Sequence, residues 1–336
     1  MPKNRRIQKI VVTGRATLPL SVMLAAVLWV VSGLLLSDGA TKEQAEGYYL
    51  WAKFDGLGLS DGLNAAICFL IYGVVGYLLV LLNNAYAIIR MRASAQTAFY
   101  LLFLAACPGV HQHLHVGCLA ALLFLASLHF LFHSYQRRNP EGDLTHAFLF
   151  LGLGSLVFPQ ITWLAPIYWI GAWMFQSLRL KSFLASLIGW TIPYWFLFCM
   201  AYFFGEMEFL YAPFRELVHV RELAYNLRPE TMATLGYLLF ILLSSTAHYI
   251  LSGLDDSIRT RCYLQFFILL SFCLMAYIAL QPVQGALMLP VALVGVSFLA
   301  AHLFVLTDNR ASNVFFIVAL IGLFVLFGYN LTTLLR

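Results

Sequence analysis

The sequence predicts an all-α, polytopic integral membrane protein with about eleven transmembrane helices and a cytoplasmic N-terminus, and three observations predict it. The first is composition: 62% of the 336 residues are hydrophobic and 10% charged, with a mean hydropathy of +0.83, whereas about a quarter of a soluble domain is charged. The second is a series of apolar runs near the ~20 residues that cross a bilayer. The third is the placing of the cations. Fourteen of the twenty Lys and Arg residues fall in six short gaps, every second one along the chain. Cytoplasmic loops keep Lys and Arg while translocated loops are depleted of them.

The apolar runs lie at about 16–36, 65–89, 94–110, 116–134, 144–158, 161–178, 183–204, 235–253, 263–281, 286–306 and 314–334. The third, fifth and sixth are short or bounded by Pro108 and Pro159, so each pair is alternatively a tight hairpin that does not fully cross. The start, MPKNRRIQKIVVTGRATLPL, is basic and then apolar like a signal peptide. Its run is longer than an h-region of about 7–15 residues, and the exit SDGAT lacks a small-x-small cleavage site. It therefore reads as a retained first helix. The six cysteines form no C-x-x-C pair and lie in or beside apolar runs, as buried small hydrophobes do.

Lys3, Arg5, Arg6, Lys9 and Arg15 place the N-terminus in the cytoplasm. Arg90 and Arg92, Arg137 and Arg138, Arg179 and Lys181, Arg259 and Arg261, and Arg310 fall in gaps of the same side. The opposite side holds Lys42, Lys53, Arg215, Arg221, Arg228 and Arg336, together with ten of the fifteen acidic residues. The net charge of +5 is scattered over these gaps, which excludes a nucleic-acid surface, since such surfaces gather cations into a patch or stripe.

Two outer loops stand apart in length, about 37–64 and about 205–234, and long irregular segments in a compact protein are usually functional or disordered. In the second, Phe209, Leu210, Phe214, Leu217 and Leu223 recur at helical spacing among Glu and Arg, the pattern of a helix lying in the interface plane. The first holds a shorter candidate from Glu46 to Phe54, with Tyr48, Tyr49 and Trp51 at headgroup level.

Candidate chemistry concentrates there. Asp38 follows the first helix directly, and a carboxylate beside apolar surface is suited to act as a general base. Glu43, Glu46, Asp55 and Asp61 follow, and solvated loop acids are the plainer reading of each. The second loop offers Arg215, His219, Arg221 and Arg228. Arg forks suit phosphate oxygens, although an amphipathic helix on anionic headgroups needs the same residues.

His111, His113 and His115 alternate in the turn before the fourth run. They suit a metal, substrate contact or ordinary interfacial placement. No Cys, Asp or Glu stands in that turn to complete a metal site, so the expectation is substrate contact by His111 and His113, no metal and no cofactor. His129, His133, His248 and His302 lie within runs and suit helix–helix hydrogen bonds. No Asp, Glu, Lys or Arg lies mid-run, which weighs against ion-coupled carriers and proton pumps. The stretch 159–196, rich in Trp and Tyr with Pro159, Pro166 and Pro193, reads as interfacial aromatic belts, or as a kinked groove for an isoprenoid chain. Gly152, Gly154, Gly171 and Gly189 permit close helix packing.

The layout of residues 16–234 resembles the GT-C class of membrane glycosyltransferases: a first helix, a long outer loop with an acid soon after that helix, short-looped helices, and a second long outer loop after the seventh. Asp38 stands at the position of that class's catalytic acid, and EGYYLWAKFDGLGLSDG is similar to the segment that follows it; the class often has an acidic pair, whereas Gly39 follows Asp38 here. The stretch from Asn83 to Phe198, with NNAYAIIR, a Pro-terminated third run and RLKSFLASLIGWTIPYWF, also resembles an uncharacterised multi-pass membrane family of Bacteroidota, which implies no activity.

The GT-C resemblance implies a single transmembrane domain over 1–336, with 16–234 as the core and 235–336 as C-terminal helices, in the inner membrane. It implies transfer of a sugar from a polyprenyl-phosphate donor at the outer face, with Asp38 as base, Arg215, Arg221 or Arg228 neutralising the leaving phosphate, and Glu46, His219, His111 and His113 as substrate contacts. Membrane lipids and envelope proteins are the other expected partners. The alternatives are a non-enzymatic subunit or scaffold of an envelope assembly, and a lipid or small-molecule transporter.

Overall fold

The computed structural model describes the chain apart from residues 1–7, 9–10, 13, 15, 37–50, 52–59, 90–93, 113, 219–227, 253–255, 308 and 336. In chain order the principal helices among the described residues are α1 (Thr17–Leu35), α2 (Asp61–Tyr86), α3 (Ala95–Ala105), α4 (Pro108–His111), α5 (Val116–His133), α6 (Glu141–Val157), α7 (Ala165–Met174), α8 (Leu180–Phe204), α9 (Glu208–Val218), α10 (Pro229–Ser252), α11 (Ile258–Leu280), α12 (Pro282–Leu306) and α13 (Arg310–Leu334). A 3₁₀ turn, Pro159–Leu164, leads into α7. No strand occurs among the described residues.

Nine of the eleven apolar runs each overlap one helix, while the third is divided between α3 and α4 and the sixth between a 3₁₀ turn and α7. Eight helices among the described residues are long and apolar enough to cross a membrane: α1, α2, α5, α8, α10, α11, α12 and α13. The chain is therefore an all-α protein built like a polytopic membrane protein. The remaining three are shorter, with 11 residues in α3, 17 in α6 and 10 in α7. At 1.5 Å per residue α3 reaches only about 16 Å, half of a ~30 Å hydrocarbon core. Pro108 and Pro159 stand just past α3 and α6, and the residue before a proline is pushed out of the helical region. Cys107 and Phe158 accordingly take ψ of 75° and 89°.

The chain divides into two compact units, Met1–Thr41, Asp61–Leu114 and Tyr225–Arg336 forming one, Lys42–Ser60 and His115–Ala224 the other. In the first, α12 is the central helix, buried along almost its whole length and packed against α3, α10 and α11. Helix α3 is buried at every position. Because hydrocarbon offers no hydrogen bonds, exposed backbone groups at helix ends must be answered by protein. The Gln8 amide donates to the carbonyls of Phe304 (2.7 Å) and Thr307 (3.0 Å) at the end of α12. Asn330 Nδ2 on α13 donates to Ala106 O (2.9 Å) after α3 and to Thr234 Oγ1 (3.1 Å) on α10. Asn83 Oδ1 accepts the Ile89 N–H at 2.9 Å just past α2. Ser257 caps α11, its hydroxyl accepting from the Thr260 N–H.

The second unit is built on α5, α6 and α8. A Cβ at Gly189 would collide with the Thr145 carbonyl, and one at Gly152 would lie 2.8 Å from the Trp190 carbonyl. These two glycines bring the backbones of α6 and α8 together, as small residues do in membrane helix pairs. The Ser127 hydroxyl donates to Ala147 O (2.6 Å), tying α5 to α6. Phe124, Phe148 and Tyr168 meet edge-on at centroid distances of 5.9–6.2 Å. Large apolar side chains point outward along the long helices, among them Leu20, Leu70, Trp195, Phe203, Leu251 and Val325, far more than a water-facing surface carries as contiguous patches.

Candidate functional site

A concave surface in the second unit lies where α8 gives way to α9. Gly205 ends α8 with φ of 70°, a left-handed conformation open to glycine. The N–H groups of Gly205 and Glu206 return to the carbonyls of Tyr202 (3.3 Å) and Ala201 (3.0 Å). That sharp stop folds α9 back against α8. Helix α9 is amphipathic: Ala212 and Pro213 are buried, while Tyr211 and Phe214 stand at the rim and Arg215 is exposed. Between the helices runs an open groove of about 600 Å³, lined by Thr191, Tyr194, Trp195, Phe198, Leu210 and Phe214 among others. Tyr194 anchors its floor, its ring 5.1 Å from Phe214 and its hydroxyl 2.8 Å from Ser155 Oγ on α6. Pro193, inside α8, removes a backbone donor and favours a bend at this level. The groove walls are almost entirely apolar and aromatic.

Arg215 lies on α9 beside this groove. Its guanidinium pairs with the Glu208 carboxylate, seven positions earlier on the same helical face. Both are well exposed, so solvent screens the pair and the guanidinium keeps open donors. Arg228 is exposed at the entry to α10. Asp38, Glu46, His113, His219 and Arg221 lie outside the described residues.

His111 is fully buried in the first unit at the end of α4. Its Nδ1 lies 3.2 Å from Leu104 O and its Nε2 3.0 Å from Ser32 Oγ. A carbonyl only accepts, so Nδ1 carries the proton and Nε2 faces the hydroxyl. Ser32 also accepts from Gln112 Nε2 at 2.5 Å, and the imidazole lies over Trp29 at 4.1 Å. This cluster joins α1 to the segment after α3 in the interior. His115 acts separately, as a helix cap: its Nδ1 accepts the Gly117 N–H at 3.0 Å at the start of α5. Among the described residues no group of three or more His, Cys, Asp or Glu is placed to hold a metal.

Two polar clusters were not legible from local sequence. In the second unit His133 Nδ1 meets Asp143 Oδ1 at 2.8 Å, Arg137 meets Asp143 Oδ2 at 3.4 Å, and Arg137 also reaches His133 Nε2 at 2.7 Å. The three clamp the α5–α6 connection. In the first unit Asp256 and His302 form a buried pair with the His248 ring 5.9 Å from His302. Asp143 and Asp256 both sit in polar gaps of the sequence, where an acid reads as solvated. The comparisons with known proteins found no match to this chain among protein-family models, curated proteins or solved structures.

Proposed function

We propose that this protein handles a long-chain lipid-linked substrate at the membrane surface, and specifically that it transfers a sugar from a polyprenyl-phosphate donor at the outer face of the inner membrane. The observation that carries the reading is the aromatic groove between α8 and the amphipathic α9, about 600 Å³ in volume. An isoprenoid chain is apolar, branched and long, and it suits a groove walled by Tyr194, Trp195, Phe198 and Phe214. Arg215 at the groove's border supplies a cation at the level where a lipid phosphate sits, and Arg221 and Arg228 continue that series in sequence. In this reading the guanidinium groups neutralise the leaving phosphate, and Asp38 takes the proton from the acceptor hydroxyl for inverting displacement. The eleven-span, N-in arrangement of the charge pattern belongs to the same proposal, since it puts both extended loops on one face.

The test compares lipid-linked and glycan products by mass spectrometry in membranes holding equal amounts of wild-type and Asp38→Asn protein. Loss of one product class with Asp38→Asn supports the transferase. Unchanged products together with stoichiometric co-purifying partners favour a scaffold of an envelope assembly.

A further inference from the structure

The first unit carries a second groove, independent of the one above. It lies between α1, α3 and α13, has a volume of about 260 Å³, and is lined by Val12, Leu20, Ala98, Phe99, Phe316 and Phe324 with their neighbours. Its few polar side chains are already used: the Thr17 hydroxyl donates to the carbonyls of Val11 and Gly14, and Ser21 to Leu18 O. Beyond those two hydroxyl oxygens the groove offers no polar partner, and a peptide bound there would bury mostly unmet backbone hydrogen bonds. Only hydrocarbon suits it.

Its depth and its mouth define the hydrocarbon further. Gln8, before α1, donates its backbone N–H to Asn313 Oδ1 (3.0 Å) in the first turn of α13. At the far end His111 meets Ser32 of α1, and Gly109 lies against Leu334 of α13. Helices α1, α3 and α13 therefore all start at one end, which places the positive ends of their dipoles together. From Phe316 to Phe324 the groove runs about 12 Å along α13, close to the ~15 Å depth of one leaflet's hydrocarbon.

That end carries a cation. Arg310 opens α13 and is exposed.

We propose that this groove seats one acyl chain of an anionic phospholipid, whose phosphate meets Arg310 at the end where α1, α3 and α13 start. The chain fills the apolar slot one leaflet deep, and charge complementarity at the mouth selects an anionic over a zwitterionic headgroup.

The test uses the full chain purified in a mild detergent, with added palmitoyl-oleoyl phosphatidylglycerol or phosphatidylcholine, read by native mass spectrometry. The wild type should retain one phosphatidylglycerol under activation that strips phosphatidylcholine. Leu20→Trp, at a half-exposed rim position, should fill the slot and abolish retention. Arg310→Ala should lower the preference for phosphatidylglycerol several-fold. A phosphatidylglycerol with a photoreactive acyl chain gives a second readout that needs no variant: cross-links should fall in peptides 16–24, 95–102 and 316–324. Equal retention of the two lipids, no retained lipid, cross-links spread over all outward faces, or a species of two protein chains lost with Leu20→Trp would each overturn the proposal.

Discussion

Asp256 Oδ2 lies 3.0 Å from His302 Nε2, and no more than 2% of either side chain is exposed. The pair fastens the segment between α10 and α11 to the end of α12. It sits near helix ends: His302 is four positions from the end of α12, His248 four from the end of α10, and Asp256 two before α11. A carrier places such groups near the midplane, so this pair is a fastening. Breaking a buried pair by removing one partner costs about 3–5 kcal/mol. Asp256→Ala should lower the unfolding temperature in detergent sharply. Asp256→Asn, whose amide oxygen still accepts from the imidazole, should lower it less. Equal losses would assign the effect to charge rather than to the hydrogen bond.

Gly189 is the second point of sensitivity. A Cβ there meets the Thr145 carbonyl, which cannot yield without parting α6 from α8. Overpacking of this kind costs about 1–3 kcal/mol, so Gly189→Ala should destabilise the protein. Gly236, in α10, has nothing within 4 Å of its virtual Cβ, and Gly236→Ala should be neutral or stabilising by up to ~1 kcal/mol. Thermal unfolding of the two variants side by side checks the contrast.

Arg215 and Glu208 form an exposed pair on α9. Such pairs contribute under about 1 kcal/mol, so Arg215→Ala should leave the unfolding temperature nearly unchanged. Under the proposed function it should still weaken turnover of the phosphate-bearing donor, and Glu208→Gln should not. If Glu208→Gln impaired the reaction as much, the carboxylate rather than the guanidinium would be the group in use.

The charge pattern makes a topological prediction. A membrane-impermeant maleimide added from outside should label Glu46→Cys and Glu216→Cys in intact spheroplasts, and Arg138→Cys only after permeabilisation. Opposite labelling of Glu46→Cys and Glu216→Cys would remove the basis for assigning both loops to one face.

The long helices were legible because bilayer-length apolar runs announce themselves, and eight of the eleven runs fall on helices long and apolar enough to cross a membrane. Their starts were less so. Helices α8, α10 and α11 begin three to six residues before the runs that mark them, because Ser182, Pro229 and Ser257 extend or cap polar first turns that a hydropathy reading passes over. The amphipathic α9 was visible from Phe209, Leu210, Phe214 and Leu217. Its pairing of Arg215 with Glu208 was not, because that depends on side-chain conformation across two turns. His111 looked like a residue of a polar turn, yet its partner Ser32 stands 79 positions away. No local pattern encodes such a contact, and the same is true of Asp256 with His302.

The enclosure of α12 bears on how the protein is made. Ribosomal synthesis delivers α3, α10 and α11 to the bilayer first, so the sheath exists before the helix it surrounds. A nascent chain halted at Leu280 would leave a vacant slot with Asp256 and Ser271 facing acyl tails in place of their neighbours. Quality-control proteases that survey unassembled membrane segments should clear such a truncated product much faster than the finished polypeptide.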